Sequence, residues 1–174
     1  DINYPQPQHI IEFTYDLIQK SILTFDKTKN DHRKVTFHDS CNVARGSNMG
    51  NIENGQFILP REVIKAACNH FADMPKATIK SSTYCCGGGG GLLTDDLIEL
   101  RIKGAMPRMQ ALKQSQENDG VNTLAAICAI CKSQFSKVLP NYDFDPYMIV
   151  SVHQLVSDAL VLSDKSQTKA EDSL

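Results

Sequence analysis

Five of the six cysteines in this sequence fall into three groups whose types and spacing suit thiolate chemistry. Cys41 follows His38-Asp39-Ser40, Cys85 and Cys86 are adjacent, and Cys128 and Cys131 form a CxxC pair. Thiolates are soft ligands that favour iron–sulfur centres and zinc. A CxxC pair alone is compatible with a redox dithiol or with half of a zinc knuckle. Five grouped cysteines exceed the four of tetrahedral zinc and the four of an ordinary cubane cluster. Either one thiol is a spare with its own redox role, or the centre has unusual nuclearity. The cysteine arithmetic leaves both open.

Glycine supplies the second signal. The run Gly87-Gly88-Gly89-Gly90-Gly91 holds half of the ten glycines and directly follows Cys85-Cys86. Without side chains, backbone can approach a bulky inorganic group and adopt positive φ. Successive N–H groups in such a loop can turn inward and offset negative charge on sulfur. A flexible linker is the plainer alternative, but the run lies between paired cysteines and Leu92-Leu93. Disulfides fit the pattern poorly, because adjacent cysteines and a CxxC are awkward partners for structural bridges, so a reducing compartment is expected.

Residues beside the cysteines extend the candidate site. His38 titrates near neutral pH in its ordinary form and could donate a proton or orient substrate sulfur; a loop hydrogen bond is its plainer role. Asp39 could cap the turn or helix after it. Arg45 could hold an anionic substrate, offset thiolate charge or make a surface ion pair. Cys68, outside the groups, reads as a small core hydrophobe. His70 and His153 read as packing or surface residues, Met106 and Met109 as core filling, and Lys76 and Lys80 as solvated charges.

Positioning these groups requires a scaffold. Apolar spacing predicts a helix over 9–25, and Val35-Thr36-Phe37 reads as a strand leading to Cys41. The Gly/Asn-rich 46–55 stretch reads as a loop, and Pro60 as the first turn of a helix reaching about Phe71. Ala77–Tyr84 is strand-compatible and delivers Cys85-Cys86. A helix over 93–113 should be kinked or divided at Gly104 and Pro107. Val121–Ala126 reads as a strand into Cys128, with helices near 131–139 and 152–160. The repeating order of strand, cysteine group and helix predicts an α/β fold. Its short, mostly parallel sheet has flanking helices, and the cysteine-bearing loops gather at the carboxyl ends of the strands.

At 174 residues the chain can bury a core without needing metal to fold. A net charge of -2 speaks against broad nucleic-acid binding, and no apolar run approaches a membrane span. The sequence begins with Asp rather than Met, so upstream domains are expected. Residues 1–32 are expected to form an amino-terminal helix and linker, 33–162 the cysteine domain, and 163–174 a frayed tail.

HDSCNVARG, YCCGGGGGLL and CAIC together resemble the cysteine-rich CCG domain of heterodisulfide reductase catalytic subunits. With PREVIKAACNHFADMP, GAMPR and VHQLVSDAL, the resemblance narrows to one branch. That branch is the heterodisulfide-reductase-like iron–sulfur subunit of the membrane complex associated with dissimilatory sulfite reduction, in its carboxyl-terminal part. The resemblance implies a noncubane [4Fe–4S] cluster held by Cys41, Cys85, Cys86, Cys128 and Cys131, and the glycine run adds Gly87, Gly88 and Gly89 as its candidate cradle. Zinc is the alternative ion, since some domains of this type bind it. It also implies electron exchange with a disulfide, trisulfide or dithiol on a small sulfur-carrier protein; His38 and Arg45, beside Cys41, are the catalytic candidates read from the residues themselves. The implied partners are a quinone-interacting membrane cytochrome subunit and other electron-transfer subunits, at a cytoplasmic location peripheral to the membrane. An electron relay in a lactate- or glycolate-type oxidoreductase and a structural zinc module are the competing readings.

Overall fold

Backbone N–H and C=O groups taken out of water must find partners, and short apolar segments find them by pairing into a sheet. In the computed structural model, which describes residues 7–162 except 51 and 93, three such segments align in parallel. They are β1 (Val35–Phe37), β2 (Thr123–Ala126) and β3 (Ile149–Ser151), in that spatial order. Val35 pairs with Thr123 and Phe37 with Ala125; on the other side Leu124 pairs with Ile149 and Ala126 with Ser151. The central strand is buried along its whole length, as a parallel sheet covered on both faces requires.

Helices cover both faces. Alternation along β2 sends Leu124 and Ala126 toward α4 (Ile98–Asp119) and α5 (Ala129–Val138), where Met109, Leu112, Phe135 and Val138 meet them. Ala125, with Val35 and Phe37 of β1, faces α1 (Ile10–Gln19), α3 (Gly55–Ala67) and α6 (Val152–Ala159) through Ile11, Val63, Ile64 and Leu155. A short helix, α2 (Cys41–Gly46), follows β1 directly. The buried Asn30 side chain joins this second layer by donating to the carbonyls of Ala67 and Leu155, both at 3.0 Å. The parallel α/β architecture expected from the sequence is therefore present, with helices on both faces.

Several elements differ from the sequence reading. The first helix stops at Gln19, where Ser21 turns into the left-handed region (φ 55°). Helix α3 starts at Gly55, five residues before Pro60, and ends at Ala67. Pro60 thus lies inside the helix, where it removes one backbone hydrogen bond, and packing of Leu59, Val63 and Ile64 outweighs that loss. Ala77–Tyr84 is not a strand: it forms two 3-10 turns, Lys76–Thr78 and Lys80–Ser82, with Lys80 at φ 57°. Helix α4 runs unbroken past Gly104 and Pro107 and stops only at Gly120, whose φ of 68° closes the end. Strand β3 was not foreseen, because three half-buried residues carry too little alternation to register. The expected tail, 163–174, lies outside the described residues. No helix among the described residues is long and apolar enough to cross a membrane.

Cys68, just past α3, is 3% exposed and packs in the second layer, as the sequence suggested. Burial pushes its thiol from 9.0 up to about 11, partly offset by Arg33 and Lys27. On raising the pH the unfolded chain loses this proton first, so the Cys68 contribution to stability is full below pH 9 and gone above about pH 11. The urea midpoint, measured with reductant and chelator, should fall across that window more steeply in the parent than in Cys68→Ala. Identical profiles would remove Cys68 as the source.

Candidate metal centre

Parallel neighbours end at the same edge of a sheet, and here two such ends carry cysteines. The ladder between β1 and β2 continues as His38 N–H donates to Ala125 O at 2.9 Å; Asp39, Ser40 and Cys41, the first residue of α2, follow. Beyond β2, Cys128 caps α5 and Cys131 lies in its first turn. Cys85 and Cys86 reach the same place from a loop that follows no strand. That loop is tied down instead: Lys80 N–H donates to Asp39 Oδ2 (2.7 Å) and Thr83 Oγ1 to Asp39 O (2.7 Å). Arg45 adds a third tie, its Nη1 donating to the carbonyls of Ser81 (3.2 Å) and Thr83 (2.9 Å). The outcome is one hollow lined by all five grouped cysteines together with Gly88 and Gly90. Cys68 lies elsewhere, in the second layer.

The floor of the hollow is dry and crowded. Cys86 and Cys131 are 4% and 3% exposed, and their sulfurs lie with a ring nitrogen of His38 all within 4.8 Å of one another. His38 is fully buried, edge-on to Phe135, and neither ring nitrogen has a hydrogen-bond partner. Burial, then the Arg108 charge, hold its pKa well below 6.5, so the imidazole is neutral and one nitrogen is free to ligate. The Cys86 thiol is pushed up to about 12, chiefly by its contact with Cys131, and that of Cys85 is also pushed up, chiefly by Cys86. Thiols packed this way keep their protons unless positive charge arrives among them.

The glycine loop provides part of that compensation. Gly87 N–H donates to Cys85 Sγ at 3.3 Å, and the amides of Gly88 and Gly89 act in the same direction on Cys86 and Cys85. Gly87, at φ +91°, presses against α4 so closely that a Cβ there would drive into the Arg101 carbonyl and lie 3.0 Å from Ala105 Cβ. Room for a side chain is therefore lacking at Gly87, whereas a Cβ at Gly90 or Gly91 would meet nothing within 4 Å. Of the three expected cradle glycines only Gly88 lines the hollow, together with Gly90; Gly87 and the exposed Gly89 line a neighbouring groove beside Cys85.

Among the other expected residues, Asp39 does not cap α2. Arg61 takes both its carboxylate oxygens, at 2.8 Å each, and the N-cap position belongs to Ser40. Arg45 is exposed and does not line the hollow; its guanidinium braces the Cys85-Cys86 loop. His153 contacts Thr14 Oγ1 at 3.0 Å, while His70, Lys76 and Lys80 face solvent. Met109 is core, whereas Met106 is 46% exposed. Sequence reasoning passed over Arg61, Arg101, Arg108 and Gln134, all buried around the centre. A usable signal existed for two of them: Arg101 and Arg108 fall on the same stripe of α4 as Ala105, Met109 and Leu112.

The residues present fit a metal group on three counts: five cysteines line one hollow, an unpartnered imidazole nitrogen lies within 4.8 Å of the Cys86 and Cys131 sulfurs, and Gly88 and Gly90 bring no Cβ atoms to the lining. His38, Cys86 and Cys131 form a buried triad capable of binding a metal. Fold and site together define a cysteine-rich α/β domain with a buried triad capable of binding a metal. The chain belongs to the CCG cysteine-rich domain family, which it matches over residues 35–136. It is 43% identical over 155 residues to the Hdr-like menaquinol oxidoreductase iron-sulfur subunit of Archaeoglobus profundus. It is 44% identical over 155 residues to the Hdr-like menaquinol oxidoreductase iron-sulfur subunit 2 of Archaeoglobus fulgidus. The aligned part is 89% of this chain but 26% of each relative, so the chain spans about a quarter of their length. No solved structure matches it.

Proposed function

We propose that this chain is the iron–sulfur electron-carrying domain of a heterodisulfide-reductase-like oxidoreductase. The observation that carries this reading is the convergence of five thiols on one hollow. A single tetrahedral ion uses four ligands close around it, and the His38, Cys86 and Cys131 triad nearly supplies that set. Cys41, Cys85 and Cys128 bring three more thiols to the same hollow, more than one tetrahedral ion needs. The five cysteines are the proposed ligands of a noncubane [4Fe–4S] cluster, which when bound would accept and release electrons. The chain's own part is to hold the thiolates, exclude water beneath them and aim the Gly87–Gly89 amides at sulfur.

Within that reading, an electron relay is the better-supported role, since the relatives' names specify an iron–sulfur subunit and menaquinol but no sulfur substrate. The proposed partners are other electron-transfer subunits and a quinone-interacting membrane cytochrome, with this domain peripheral to the membrane on its cytoplasmic side; the relatives' names support the link to menaquinol. A second reading is reduction of a disulfide or trisulfide on a small sulfur-carrier protein, as in subunit K of the complex associated with dissimilatory sulfite reduction. Its support is the partial exposure of Cys41, Cys85 and Cys128 at the mouth of the hollow, where substrate sulfur could approach beside the Arg45 brace. Iron, acid-labile sulfide and zinc, determined on one sample purified without oxygen, test the proposal. About four irons with matching sulfide per chain are expected. Zinc without iron or sulfide would leave a structural zinc domain in its place.

A further inference from the structure

Arg108 is 0% exposed and Arg101 2% exposed, and neither makes a salt bridge among the described residues. A guanidinium is charged at any physiological pH, and burying one without an anion is strongly unfavourable. Nor do their hydrogen bonds provide an anion. Arg108 donates from Nη1 to Met74 Sδ at 2.9 Å and from Nη2 to Thr78 O and Thr83 Oγ1, and its Nε is unpartnered. Arg101 donates to Gln134 Oε1 at 2.8 and 2.7 Å and to Thr94 O at 3.0 Å. Asp39 attracts Arg108 through space, but its carboxylate makes no contact with it and is taken up by Arg61 and the Lys80 N–H; Asp95, near Arg101, pairs with Lys137.

Both arginines project from one stripe of α4 toward the cysteines. Thr83, held by Arg108, is two residues before Cys85 and also donates to Asp39 O, two residues before Cys41. Arg101 lines a groove shared with Cys85 and Gly87, and its own carbonyl abuts Gly87. Arg108 also lies over the Tyr84 ring at 5.7 Å, beside the same loop.

We propose that Arg101 and Arg108 are positioning residues that supply the built-in positive charge for an anionic, metal-bound thiolate set in this hollow. The inference rests on the metal-centre reading but not on the identity of the metal. Thiolates on a metal carry net negative charge, and each electron added to the centre adds one more. Two fixed cations in a dry site favour the metal-bound thiolates over protonated thiols and favour the reduced centre over the oxidised one.

The test uses the whole chain in two measurements: anaerobic Co²⁺ titration of the reduced, metal-free chain, and the midpoint potential after iron–sulfur reconstitution. Arg108→Met and Arg101→Gln, checked for folding by circular dichroism, should each weaken Co²⁺ binding by roughly tenfold or more and move the potential negative. Arg108→Lys, which keeps the charge but not the fork of hydrogen bonds, should stay near the parent in both. If Arg108→Met does not fold, Arg101→Gln removes the same charge from the other position and decides alone. Parent-like affinity in folded neutral variants would overturn the inference, as would Arg108→Lys binding as weakly as Arg108→Met. Should the parent bind Co²⁺ yet take up no iron and sulfide, the electron-transfer reading fails while the affinity series still decides the charge role.

Discussion

Replacing Cys86 by serine should bring the iron content of anaerobically purified chain below about a tenth of the parent's, while Cys68→Ser leaves it unchanged. The two cysteines are matched for burial, at 4% and 3% exposure, and differ in where they lie. Cys86 shares the floor of the hollow with Cys131 and His38, whereas Cys68 packs among Val63, Ile64 and Leu155. A serine hydroxyl does not ionise to match a thiolate and is a hard donor where the centre needs a soft one. Disturbing a residue that merely orients a ligand already costs about 10- to 100-fold in metal affinity, so loss of a ligand costs at least as much. Iron retained by Cys86→Ser, or lost equally from Cys68→Ser, would sink the proposed ligand set.

Arg61→Ala should lower stability by about 3–5 kcal/mol, read from urea midpoints of metal-free chain. Arg61 is 5% exposed and holds Asp39 through Nη1 and Nη2 at 2.8 Å each, and Asp73 through Nε at 2.9 and 3.0 Å. Burial by itself would lower the guanidinium pKa; the hydrogen bonds and charges of the two carboxylates outweigh it and raise the pKa. Truncation strands the Asp39 carboxylate, 2% exposed, in a place where Lys80 N–H alone still donates to it. The face of the guanidinium over Phe37, 5.2 Å from the ring centroid, is lost as well. Replacing Arg61 and Asp39 together by apolar residues should cost clearly less than Arg61→Ala, because no charge is then left buried alone. A loss under about 1 kcal/mol for Arg61→Ala would show that water reaches Asp39 freely. Because Asp39 ties the Cys41 arm to the Cys85-Cys86 loop, the same variant should also bind metal more weakly.

What could be read directly from the sequence is the chemistry. Thiol groups at 41, 85–86 and 128–131, the glycine run and the strand-like Val35–Phe37 and Thr123–Ala126 are local features, and local residue type sets ligand softness, backbone freedom and strand preference. They were sufficient for a parallel α/β fold with two of the three cysteine groups just beyond strand ends, and for setting Cys68 apart. Element boundaries were less legible. Pro60 reads as a helix start and Pro107 as a kink or break, yet both lie inside helices, where the packing of α3 and α4 against the sheet outweighs one missing hydrogen bond in each.

Only the tertiary structure decided how the Cys85-Cys86 loop reaches the site. No strand delivers it; bonds from Lys80, Thr83 and Arg45 do, and each joins residues more than thirty positions apart in the chain. It likewise decided that His38 is a neutral, unpartnered imidazole under the cysteines, and that Arg61, Arg101 and Arg108 are interior. Charged side chains are ordinarily solvated, so residue type alone assigns them to the surface. Their burial, and with it the electrostatics of the centre, depends on which distant groups the fold brings within a few ångströms, and no local pattern encodes that.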